Sequence, residues 1–123
     1  MIGENKCQKK FEPLYVEVLD NRSFVILEDF SVVTKDGEVI TVPKGFTTDA
    51  ASVPRLFWSF LPPLGRYTKA AVVHDYLYRT HLKTKEDADK IFLWLMEDLG
   101  VEKVRRIAMY YAVKLFGKKV YEK

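Results

Sequence analysis

The chain changes hydrophobic period partway along, and that change limits it to a layered fold with strands first and helices after. Up to Val42 the apolar residues come in short runs suited to strands, and from Pro54 onward they recur at helical spacing. Leu14 to Leu19 is rich in β-branched and aromatic residues and is followed by Asp20-Asn21, a turn signal. Phe24 to Leu27 and Phe30 to Thr34 follow. Asp36-Gly37 then separates two strand-like runs, which marks a hairpin closed by Val39 to Val42 and ended by Pro43-Lys44-Gly45. One small antiparallel sheet is the economical reading.

Four helices are predicted after the strands. The first spans Pro54 to Phe60 and stops at Pro62-Pro63. The second runs from about Tyr67 to Thr80. The third starts after Thr84, an N-cap with Glu86 and Asp87 in the first turn, and ends at Gly100. The fourth runs from about Val101 to Phe116 and stops at Gly117, with Val104, Ile107, Ala108, Tyr111 and Leu115 as its expected buried stripe. Strands followed by a layer of three to four helices define an α+β class. At 123 residues the chain has room for one ordinary domain, expected over 13–123, with 1–12 as a loose polar terminus.

Composition bears on environment. A single cysteine, Cys7, rules out an intrachain disulfide framework and points to a reducing compartment. The N-terminus lacks the apolar centre of a signal peptide, and no uncharged run reaches membrane-spanning length, so a cytoplasmic location is expected. The net charge of +3 is uneven: residues 101–123 hold seven Lys/Arg against two Glu, about +5, leaving about −2 for the rest. Lys103, Arg106, Tyr110, Lys114 and Lys118 fall on one expected helix face, a pattern that can track a phosphate backbone, and nucleic acid is therefore one candidate partner. A solvated basic face has the same appearance.

The chemistry centres on His74 and Asp75. At 100° per residue Tyr67, Ala70, Ala71, Leu77, Tyr78 and His81 lie within about 60° of His74, so the imidazole sits in the middle of an apolar face. Asp75 lies about 100° away, at the edge of that face. A buried imidazole needs partners for its nitrogens. A carboxylate on one nitrogen fixes the tautomer and leaves the other to act as a base. The third helix should return antiparallel and supply it, with Asp89 favoured over Asp87, while Tyr78 can bring its hydroxyl to the same place. A second cluster is the oxygen-rich loop Gly45 to Arg55, in which Thr48 and Ser52 can bind a ligand or satisfy backbone amides. Asp49 with Asp75 would offer a divalent cation, calcium or magnesium, two hard oxygen ligands. Arg55 and Arg66 can hold a phosphate or carboxylate of a substrate. The competing reading makes the same residues turns, helix caps and a buried polar network.

The run Gly45 to Arg55, then Trp58, Pro62-Pro63, Gly65-Arg66-Tyr67, Ala70 to Tyr78, Ala88-Asp89 and Phe92, resembles the phage- and prophage-encoded "domain of unknown function 1353" family over roughly 40–117. The resemblance implies a phage or prophage gene, with a host-cell or virion location and a phage or host protein as candidate partner. His74-Asp75-Tyr76-Leu77-Tyr78 also resembles the His-Asp-x-x-Tyr helix of the calcium-dependent secreted phospholipases. That resemblance implies His74 as general base, Asp75 as metal ligand, Tyr78 in the supporting network and Asp89 as the orienting carboxylate. The disulfides of those enzymes are missing, their glycine-rich calcium loop has no clear counterpart, and their cysteines stand at Val73 and Leu77 here. Two functions are carried forward: hydrolysis of an ester, amide or phosphoester bond, and a non-enzymatic accessory module.

Overall fold

The computed structural model describes residues 13–19, 23–48 and 67–122. The terminus 1–12, the helix expected at 54–60, and Asp49, Ser52, Arg55 and Arg66 lie outside these residues. Five strands come first, β1 (Val16–Val18), β2 (Phe24–Ile26), β3 (Phe30–Val33), β4 (Val39–Val42) and β5 (Thr47–Thr48). Among the described residues four helices follow, α1 (Thr68–Thr80), α2 (Lys85–Asp98), α3 (Lys103–Phe116) and α4 (Lys118–Glu122). The class is α+β, as the change of period requires.

The β3–β4 hairpin forms where Asp36-Gly37 puts it, with Phe30 opposite Val42 and Val33 opposite Val39. Gly37 has φ 87°, a left-handed conformation that costs a residue without Cβ little. The expected single sheet is instead two. β2 is paired on both edges, by β1 and by β5, in the order β1-β2-β5, and β3-β4 forms a separate pair. With both edges of β2 taken, β3 has nowhere to join it. Thr47-Thr48, expected in an irregular loop, is therefore strand. Gly45 (φ 93°) makes the turn into it, its N–H bonding Ile26 O at 2.8 Å. Alternation decides the inner faces: Phe24, Ile26, Phe30, Val32, Ile40 and Val42 are all buried. Each contributes on the order of 1.5–3 kcal/mol of hydrophobic stabilisation.

Helix α1 is enclosed on nearly every side, nine of its thirteen residues being buried. It packs against α2 on one side and against β4 and β5 on another. Asp75 is accordingly 0% exposed, where an edge position was expected, because β5 covers that side. Thr84 caps α2 as its sequence position implies, accepting from Asp87 N at 3.2 Å. The N–H of Val101 closes the far end of α2 on Met96 O at 3.0 Å, with Gly100 at φ 81° making the turn.

The expected buried stripe of α3 is overturned. Val104, Ile107, Tyr111 and Leu115 are exposed, and Ala108 is only half-buried. The face turned inward carries Met109, Ala112 and Val113. The helix has apolar residues on two sides, and the one turned to the core is the side whose Met109 and Val113 join the buried cluster. Gly117 ends α3, but a short helix follows it, so Lys118 belongs to α4 and not to the basic face of α3.

Candidate functional site around His74

The antiparallel return of α2 beside α1 brings Asp89 onto His74. His74 Nε2 lies 2.7 Å from Asp89 Oδ1, and Tyr78 donates its hydroxyl to the same oxygen at 2.5 Å. The other carboxylate oxygen, Oδ2, accepts from Lys85 Nζ at 2.8 Å. Lys85 also donates to Val113 O at 3.0 Å and Lys114 O at 3.1 Å, so one ammonium ties the start of α2 to the end of α3. Val113 O already accepts from Gly117 N at 2.8 Å, so Lys85 adds a charged donor at the negative end of α3. His74 stacks on Phe92 (centroids 4.5 Å, planes 29° apart) and touches the Tyr78 ring at 4.1 Å. His74, Tyr78 and Asp89 are all buried.

The electrostatics follow from this packing. Burial lowers the pKa of His74, outweighing the hydrogen bond and charge of Asp89, which act to raise it. The imidazole is therefore neutral near pH 7, and its Nε2–H donates to Asp89, which places the ring's lone pair on Nδ1. Burial pushes Asp89 up, but the bonds from His74, Lys85 and Tyr78 prevail and hold it below the ordinary carboxylate value. Burial first, and then the bond to an ionised Asp89, keep the Tyr78 phenol protonated. Asp89 is thus a charged carboxylate held by three donors.

Asp75 faces another side of α1, about 100° round from His74 and toward β5. Its Oδ2 accepts from Thr48 Oγ1 at 2.5 Å, and its Oδ1 lies 3.4 Å from Arg79 Nε. Arg79 also donates to Thr47 O at 2.9 Å and stands over the Phe46 ring, its guanidinium carbon 5.4 Å from the centroid. The Thr48 hydroxyl, expected to serve a ligand, is buried and given to Asp75. Among the described residues no three His, Cys, Asp or Glu side chains gather as a metal site.

The structure therefore brings His74, Tyr78 and Asp89 into one network and sends Asp75 with Thr48 into another. Two residues in these networks were not anticipated, Lys85 and Arg79. Each stands four residues from its carboxylate on the same helix, Lys85 before Asp89 and Arg79 after Asp75. That i,i+4 spacing was the available signal. A cleft of about 300 Å³ lined by Lys85, Glu86, Asp89, Tyr110 and Lys114 approaches the network from the α3 side.

Fold and site together define a class: a small α+β domain organised on a central helix whose His-Asp pair is locked into two buried polar networks. The chain belongs to the family described as protein of unknown function (DUF1353), whose sequence model matches residues 24–113. It is similar to two proteins of Sinorhizobium fredii (strain NBRC 101917 / NGR234), described as uncharacterized proteins y4jT and y4iH. Identity to y4jT is 38% over 96 residues, covering 76% of this chain and 29% of the relative. Identity to y4iH is 32% over 105 residues, covering 83% of this chain and 44% of the relative. The chain thus spans less than half the length of these curated relatives. No solved structure matches it. Among the described residues no helix is long and apolar enough to cross a membrane.

Proposed function

We propose that the domain is a hydrolase in which His74 is the general base and Asp89 the positioning carboxylate. The observation that carries this reading is the 2.7 Å contact between His74 Nε2 and an Asp89 already held by Tyr78 and Lys85. A neutral imidazole with Nε2–H committed has the right protonation state to take a proton through Nδ1. In this reading a water admitted to Nδ1 when the cover over His74 opens gives up its proton there and attacks an ester, amide or phosphoester centre, and the imidazolium then returns the proton to the leaving group. Buried charged networks of this kind are costly as stability devices and are concentrated at functional sites. The arrangement also resembles the His-Asp-x-x-Tyr helix of the secreted phospholipases with its orienting aspartate. In this reading Asp75 anchors β5 through Thr48, and a divalent cation bound there would displace Arg79 from it.

A second reading is favoured by one observation, that the His74 side chain is 0% exposed. In it the domain is a non-enzymatic accessory module, of phage origin by its family resemblance, and the network only braces α1 against α2.

The deciding experiment assays the purified protein on aryl esters, phospholipid vesicles, peptidoglycan and phosphodiesters, with calcium or magnesium and with chelator. Turnover that His74→Gln lowers by roughly 10²–10⁴-fold supports the base. Asp89→Asn should lower kcat while leaving KM nearly unchanged. Absence of turnover on every substrate, or turnover indifferent to His74→Gln, gives the second reading its case. A calcium-dependent rate lost in Asp75→Asn would restore the metal role expected of Asp75.

A further inference from the structure

The outward face of α3 is built like a seam with nothing described against it. Val104, Ile107, Tyr111 and Leu115 are 74%, 38%, 50% and 67% exposed. At 100° per residue they span roughly 80° of the helix circumference, on the far side from Met109, Ala112 and Val113. Four apolar residues at i, i+3, i+7 and i+11 in so narrow a band have the geometry of one helix meeting another.

Charge then selects the occupant. Lys103 and Lys114 border the band on one edge, within about 40° of Ile107. Neither forms an ion pair among the described residues, and the Lys114 ammonium stands 5.7 Å from the ring centroids of both Tyr110 and Tyr111. A second copy of this chain laid antiparallel would set the Lys103–Lys114 edge against itself, and like charges in register repel. A parallel copy would bring Arg105 and alanines to that edge and no carboxylate. A helix with Asp or Glu along one edge of an apolar seam satisfies both the band and the lysines. The matched region makes up only 29% and 44% of the rhizobial relatives, so in those chains further sequence adjoins this domain.

We infer that the outer face of α3, through Val104, Ile107, Tyr111 and Leu115 with Lys103 and Lys114, is a docking surface for an acidic amphipathic helix of a partner protein. The apolar band takes no part in the His74 network, although Lys114 at its edge also lines the cleft that reaches Asp89, and use of the surface does not depend on hydrolysis.

The test is a selection from a displayed library of amphipathic helices with a fixed apolar seam and randomised flanking positions, using the intact protein as bait. The expected winners carry Asp or Glu on one flank. A winning peptide should lose at least tenfold in affinity to Ile107→Glu and to Leu115→Glu. Lys103→Glu with Lys114→Glu should reverse its preference toward Lys-flanked peptides. Circular-dichroism melting of each variant verifies that the fold is kept. The inference is overturned if no helix is recovered, if winners show no acidic bias, or if the variants bind unchanged. It is equally overturned if light scattering shows dimers abolished by Leu115→Glu, which would assign the face to a second copy. Sedimentation with phosphatidylglycerol vesicles that depends on the same residues would assign it to a membrane.

Discussion

At the scale of single residues the molecule's sensitivity to acid is written in two groups that titrate in sequence. His74 is held neutral by burial, its pKa below the ordinary 6.5, whereas in the unfolded chain it takes a proton at that ordinary value. Between the two values the unfolded state binds more protons, so stability falls as pH drops from about 6.5 toward the folded pKa. Asp89 has a lowered pKa, and its contribution is complete above about 3.8 and disappears as pH falls through its folded value. Melting temperature measured from pH 8 to pH 3 should decline in two stages. His74→Asn should flatten the upper stage and Asp89→Asn the lower one; a wild-type curve flat from pH 7 to 5 would contradict the neutral imidazole. Asp89 as the partner of His74 was legible in the sequence, because helix phase and a short connection left few carboxylates able to reach. Lys85 was not foreseen: its spacing from Asp89 was visible, but its bonds to the α3 carbonyls depend on how two helices dock.

Elements reveal where periodicity suffices and where it fails. The Thr84 cap and the Gly37 turn rest on chemistry within a few residues, and both stand where expected. α3 offered two apolar sides, and nothing within the helix says which one α2 will take. The inward side carries Met109, Ala112 and Val113, apolar like the outward stripe but with fewer residues, so periodicity alone pointed to the wrong face. Gly117 closes α3 for a similarly nonlocal reason. Its backbone, at φ −84°, suits any residue, but a Cβ there would lie 2.5 Å from Val113 O and 2.8 Å from the Tyr78 hydroxyl. Gly117→Ala should therefore destabilise by about 1–3 kcal/mol, the usual cost of overpacking. Urea unfolding measures this, and a neutral result would mean that the end of α3 moves aside freely.

For the molecule as a whole, strands and helices are joined by polar contacts as well as by the core. Asp75 of α1 takes the Thr48 hydroxyl of β5, Arg79 takes Thr47 O, and Lys83 pairs with Glu38 beside the hairpin at 2.6 Å. The buried contact should carry the coupling. A double-mutant cycle of Thr48→Val and Asp75→Asn is expected to give about 1–2 kcal/mol of interaction energy in urea unfolding, and strict additivity would dissolve that tie. The α+β class was legible because the switch of period is a property of the sequence itself. The division into two sheets was not, since it turns on which strand claims the second edge of β2. The enclosure of α1 has a consequence over descent. A helix with nine of thirteen residues buried has few positions where a substitution goes unfelt. It should drift more slowly than the strands and helices around it, and lineages too distant to align end to end should still share the imprint of these thirteen residues.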